Sequence, residues 1–231
     1  MLIIFDLDDT LIDTTGSITP VKLEQALVKM VEAGLQAGDF QEALAILKRL
    51  DTATESASQT LLEFLEITQV DKEADNKYFD IGHAELYGQL PSDFPVYPLD
   101  QALDVLSDLS DHHQLALVSM GKPDQQLLKL KNAGIDSTIF SKILISEDRD
   151  KKPHYKTILD ELGFTPSQTL VCGDRVKRDL SPAKELGCIT VHMQWGRGLS
   201  CLISALPHYI ARDVDYAIKK LSQIKDILTT L

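Results

Sequence analysis

The chain of 231 residues carries a formal net charge of −12, with 44% hydrophobic and 25% charged residues. These are the proportions of an ordinary globular protein. The negative balance, without any block of Lys and Arg, speaks against a nucleic-acid partner, and no stretch approaches the about 20 apolar residues of a membrane span. A first strand entered at residue 2 leaves no room for a signal peptide. Cys172, Cys188 and Cys201 are odd in number and lack metal-type spacing, so they read as reduced core residues of a cytoplasmic protein.

In chain order, Leu2-Ile3-Ile4-Phe5 is a short apolar run that stops at charge, which is strand length rather than helix length. It runs into four carboxylates, Asp6, Asp8, Asp9 and Asp13. From residue 19 the period changes. Leu23, Leu27, Met30, Val31 and Leu35 fall at helical spacing, with Thr19 as the expected N-cap and Pro20 at the first helical position. Helices are expected again over 39–50, 54–67 and about 72–89, with no strand between 19 and 89. The proline-rich stretch 91–98 ends this run.

Beyond it strands and helices alternate. Helices are expected at 99–110, 123–133, 154–162, from Ser181-Pro182 onward, and at 214–229. Strands are expected at 114–119, 142–146, 169–174 and 188–193. Alternation of this kind predicts a doubly wound parallel sheet of the α/β class, Rossmann-like in its winding. The first strand belongs to that sheet, so the intervening helices form an inserted α-helical cap. The expected domains are 1–14 with 95–231 for the α/β core, and 15–94 for the cap.

Open α/β sheets carry their working site at the carboxyl ends of the strands. Strand one ends at Asp6, with Asp8 two residues on. The strand at 114–119 ends at Ser119, followed by Met120 and Gly121, and the strand at 169–174 ends at Asp174, with Asp179 five residues later. Lys152-Pro153 opens the helix after the strand at 142–146. Clustered carboxylates repel one another, and a divalent cation among them would offset that repulsion.

These residues match a family. Asp6-Leu7-Asp8-Asp9-Thr10, Ser119, Lys152, and Gly173-Asp174 with Asp179 resemble, in order, the four motifs of the haloacid dehalogenase-like hydrolases. The resemblance implies a phosphatase with a nucleophilic Asp6 that forms an aspartyl-phosphate. Asp8 would serve as general acid and then general base. Mg²⁺ would be held by Asp6, Asp174, the backbone carbonyl of Asp8, and Asp179, which ligates or orients that shell. Hard oxygen ligands suit this ion. Ser119, Met120, Gly121 and Lys152 would bind the transferring phosphoryl group. Lys151 competes with Lys152 for the lysine's role, and Lys152 is preferred because the family places Pro directly after the functional lysine. Asp9 and Met120 stand where many relatives have Gly and Asn. Asp8 is present where true dehalogenases of this superfamily replace it, which disfavours carbon–halogen cleavage.

The expected activity is hydrolysis of a small phosphorylated metabolite, beneath a cap able to close over the strand ends. Two alternatives are a phosphomutase and a non-catalytic phosphate-binding regulatory module.

Overall fold

The computed structural model describes the chain except residues 55, 69–71, 100 and 200–211, and the side chains of 72–75. It divides into two compact units, residues 1–14 with 92–231, and residues 15–91. Residues 92–94, expected in the cap, fall in the first unit. Asn132 donates hydrogen bonds to the carbonyls of Ser92 and Phe94 within that unit.

The first unit is built on a six-stranded sheet. Its strands are β1 (Leu2–Phe5), β2 (Gln114–Met120), β3 (Phe140–Ser146), β4 (Thr169–Gly173), β5 (Ile189–Met193) and β6 (Tyr216–Ile218). They lie in the order β3-β2-β1-β4-β5-β6, and every pairing is parallel. Ile3 sits beside Leu115 on one side and Leu170 on the other, so β1 is central and all four of its residues are buried. Near-continuous apolar strands are what a parallel sheet covered on both faces requires. One face packs Leu2, Ile4, Ala116, Val118 and Val171 against Tyr155, Ile158 and Leu159 of the helix Lys152–Leu162.

The winding reverses at β1. From there β2 and β3 build outward in one direction, while β4, β5 and β6 build in the other. A crevice at the carboxyl ends of β1 and its neighbours is the topological switch point, where such sheets place their ligands.

Two expectations are corrected here. The helix expected over 214–229 is instead β6 followed by a helix at Gln223–Leu228. A three-residue edge strand is too short to show its own period, and Ile218, Leu221, Ile224 and Ile227 are buried at a spacing that mimics a continuous helix. Thr19 is not an N-cap, because a π-helical turn over Thr14–Ile18 runs straight into the next helix. Cys172 and Cys188 are buried free thiols, and Cys201 lies outside the described residues.

The second unit is helical, with α1 (Thr19–Glu32), α2 (Phe40–Ala53), α3 (Ala57–Ile67) and α4 (Lys72–Leu86). Asp39 and Ser56 cap α2 and α3 by accepting from the amides of Glu42 and Gln59. Leu23, Leu27, Met30, Leu44, Leu47, Leu61 and Phe64 form its core. No described helix is long and apolar enough to cross a membrane.

Candidate active site

β1 ends at Phe5, and Asp6 follows with its amide still donating to the carbonyl of Cys172 on β4 at 2.9 Å. That bond aims the Asp6 side chain off the end of the sheet. β4 ends at Gly173, and Asp174 takes the matching place one strand over. A π-helical turn at Val176–Leu180 then carries Asp179 back over the strand end. Gly173 is a steric requirement of this turn, since a Cβ there would lie 2.5 Å from the Cβ of Asp179. The Asp179 carboxylate also accepts from the Arg175 amide at 2.8 Å, which fixes its orientation.

Asp6, Asp174 and Asp179 are all buried and each offers an oxygen within 4.8 Å of the others. Lys151 reaches into the cluster, with Nζ 2.6 Å from Asp6 and 2.6 Å from Asp179. Arg175 pairs with Asp174 through Nε at 3.0 Å. Three buried carboxylates therefore face two cations. Burial, reinforced by the charges of Asp179 and Asp8 against the pull of Lys151, pushes the Asp6 carboxyl up to about 7. Burial likewise raises Asp174 well above the usual range, with Arg175 opposing. Such a donor set is electrostatically unfinished, and a hard divalent cation is the chemistry that completes it. The residues present fit that group.

The lysine differs from the expectation. Lys151 is the buried one, its side chain 4% exposed, whereas Lys152 is 43% exposed and pairs with Glu185 at 2.7 Å. The physical reason lies in the turn entering the helix Lys152–Leu162. Lys151 is its N-cap and faces the strand ends, while Lys152, the first helical residue, faces away toward Glu185. Pro153 lies within two residues of both lysines, so its presence does not separate them.

Asp8 lies just outside the cluster, and its carboxylate is held by three donors. Thr14 Oγ1 and Lys129 Nζ reach Oδ1 at 2.5 and 2.8 Å, and Gln126 Nε2 reaches Oδ2 at 2.7 Å. Burial alone would raise the Asp8 carboxyl, but the Lys129 ammonium and the hydrogen bonds outweigh it and hold it below its ordinary value. Asp9 adopts the left-handed backbone conformation, φ 57°, which explains why a glycine also suits this position.

Ser119 is buried at the end of β2, and its Oγ lies 2.6 Å from Gln126 Nε2. Met120 closes the strand with its carbonyl 3.2 Å from the same nitrogen. Gly121 does not offer the amide expected of it, because that N–H donates to the Ser146 carbonyl at 2.9 Å. Its part is the turn, at φ +140°.

Sequence reasoning named Lys151 only as the rival of Lys152, and it missed Gln126 and Lys129. Gln126 and Lys129 stand three residues apart on one face of the helix Pro123–Asn132. The sequence carried no signal for them: Gln126 is buried while the neighbouring Leu127 is exposed, the reverse of what their polarities suggest.

Against this geometry, the profile of the family described as haloacid dehalogenase-like hydrolase matches residues 3–193. The chain belongs to that family. Among curated proteins it is similar to the glyceraldehyde 3-phosphate phosphatase of Methanocaldococcus jannaschii, at 29% identity over 99% of this chain and 97% of that one. It is also similar to the enzyme of the same name from Pyrococcus furiosus, at 26% identity over 98% and 92%. Among solved structures, a HAD-type hydrolase of Bacillus subtilis bound to magnesium aligns over 98% of this chain and 97% of its own, with a TM-score of 0.65 and 20% identity. That likeness shows the family fold.

Proposed function

We propose that this family member is a phosphomonoester hydrolase acting on a small phosphorylated metabolite through an aspartyl-phosphate at Asp6. The observation that carries the reading is the buried Lys151 bridging Asp6 and Asp179 beside Asp174. An Asp6 carboxylate oxygen forms the new bond to phosphorus as the bond to the leaving oxygen breaks. Lys151 neutralises part of the charge that gathers on the nucleophile and the phosphoryl oxygens, in a site where little water screens it. Asp8, ionised in the free protein, takes up a proton that arrives with the substrate's phosphate monoanion, passes it to the leaving oxygen, and later takes one from the water that hydrolyses the intermediate. Ser119 donates to a phosphoryl oxygen.

Asp6, Asp174 and Asp179, with the Asp8 carbonyl, would hold Mg²⁺. The bound ion would offset the cluster's negative charge and that of the phosphoryl group. The magnesium bound by the Bacillus subtilis neighbour supports this choice of ion. The unpaired thiols of Cys172 and Cys188 support a reducing compartment such as the cytoplasm.

The relatives' shared name makes glyceraldehyde 3-phosphate the first substrate to try. Incubation with Mg²⁺ and a panel of phosphorylated metabolites, reading inorganic phosphate, tests the activity. One molecule of phosphate released per substrate consumed is expected. Failure to release phosphate from every member would overturn the proposal.

A further inference from the structure

Gln126 and Lys129 lie on the helix Pro123–Asn132, 118 and 121 residues along the chain from the Asp8 they both touch. Gln126 is 3% exposed, and its Nε2 faces Ser119 Oγ at 2.6 Å, Asp8 Oδ2 at 2.7 Å and the Met120 carbonyl at 3.2 Å. Carboxylate and carbonyl oxygens only accept, so the atom turned toward them is the amide nitrogen. That nitrogen carries two hydrogens, and the two shortest contacts take them. Ser119 therefore accepts from Gln126 and keeps its own hydroxyl hydrogen free to donate. Gly121 makes room for this arrangement, because a Cβ there would press to 3.3 Å from Gln126 Cδ.

Asp8 meets the same helix a second time through Lys129 Nζ at 2.8 Å, and Thr14 reaches the same oxygen from the other side. The Asp8 side chain is 29% exposed, so water could satisfy it at no ordering cost. Three protein donors instead immobilise it, at the entropic cost of ordering the long lysine side chain. A fixed carboxylate orientation is what proton transfer to a leaving oxygen needs, and misplacement by a single ångström is costly to such a step.

We propose that Gln126 and Lys129 are positioning residues. Together they hold the Asp8 carboxylate in the orientation that serves the leaving oxygen, and Gln126 turns the Ser119 hydroxyl hydrogen outward toward the phosphoryl group. This rests on the phosphatase reading above and extends it to two residues outside the four motifs.

The test is leaving-group dependence. The ratio kcat/KM reports steps up to departure of the leaving group. An alkyl phosphate such as glycerol phosphate needs a proton delivered to its leaving oxygen, whereas p-nitrophenyl phosphate does not. Gln126→Met and Lys129→Met remove the donors at similar side-chain length, and Lys129→Arg keeps one. For both Met variants the loss of kcat/KM on glycerol phosphate should exceed the loss on p-nitrophenyl phosphate by about tenfold or more, as expected for impaired general-acid catalysis. Lys129→Arg should recover most of the difference. Thermal unfolding in parallel identifies a variant that has merely lost its fold. Equal losses on both substrates in a folded variant, or no loss on either, would overturn the proposal. Asp8→Asn separates the two levels of inference. It should show the same leaving-group signature more strongly, and if it shows none, the assignment of Asp8 itself has failed.

Discussion

Replacement of Lys151 by Met removes one ammonium and leaves a chain of similar length. The lysine is 4% exposed and bridges Asp6 and Asp179, whose side chains are 9% and 3% exposed, so solvent screening softens the loss very little. Deleting one partner of a buried ion pair typically costs about 3–5 kcal/mol. Asp6 limits that cost, because its carboxyl already stands at about 7 and takes up a proton instead of remaining stranded. A loss near the lower bound, about 3 kcal/mol, is therefore expected for metal-free protein at pH 7.5. For a chain of this length that corresponds to a fall in Tm of about 6–12 °C. With Mg²⁺ bound the fall should shrink, since the cation takes over part of the compensation. Turnover should drop about 10²–10³-fold, the usual range for losing one preorganised electrostatic contact to the transition state. The matched control is Lys152→Met. Its exposed pair with Glu185 contributes about 0–1 kcal/mol, and turnover should stay within about twofold. Differential scanning calorimetry and phosphate release measure both variants. If Lys152→Met were the inactive variant and Lys151→Met the active one, the structural assignment of the lysine would be refuted.

Three further outcomes follow from the same cluster. Asp6→Asn should abolish turnover while raising the Tm of metal-free protein at neutral pH, because it removes one of three crowded carboxylates without changing shape; unaltered turnover would contradict its role. The folded-state Asp6 value of about 7 lies above its ordinary 3.8, so its contribution is fully favourable below about pH 4 and is lost as pH rises to about 7. The stability of metal-free wild type relative to Asp6→Asn should accordingly decline across that window in urea titrations, and added Mg²⁺ should reduce the decline. Gly173→Ala should displace Asp179, whose Cβ lies 2.5 Å from the added methyl position. The expected result is about 1–3 kcal/mol of destabilisation from overpacking, with weakened Mg²⁺ binding by isothermal titration.

Much of this site was legible because apolar strands and the charges that end them announce themselves locally. Leu2–Phe5 followed by Asp6, and Thr169–Gly173 followed by Asp174, could be placed at strand ends on one rim of the sheet from run length and alternation, whereas the pairing of these two strands side by side came only from the structure. The residues that were misread depend on direction rather than composition. Lys151 and Lys152 are chemically identical, and only the course of the chain entering the helix decides which one faces the strand ends. Gly121 was a reasonable phosphate-binding candidate until the register of β2 against β3 brought the Ser146 carbonyl to its amide. Gln126 and Lys129 required knowledge of which helix face turns toward Asp8. β6 was hidden because three residues carry too little pattern to compete with the helix that follows them.

The claim on which the account depends is covalent catalysis at Asp6. Wild-type protein with Mg²⁺ and a ³²P-labelled phosphomonoester, quenched in acid within the first turnover, should yield labelled protein. Hydroxylamine should release that label, as expected of an acyl phosphate, and trapping with tritiated borohydride, which expels the phosphate and converts the aspartyl-phosphate to homoserine, should place tritium at position 6 by peptide mapping. Release of labelled phosphate over the same interval, with no label on Asp6 at any time point, would contradict the account.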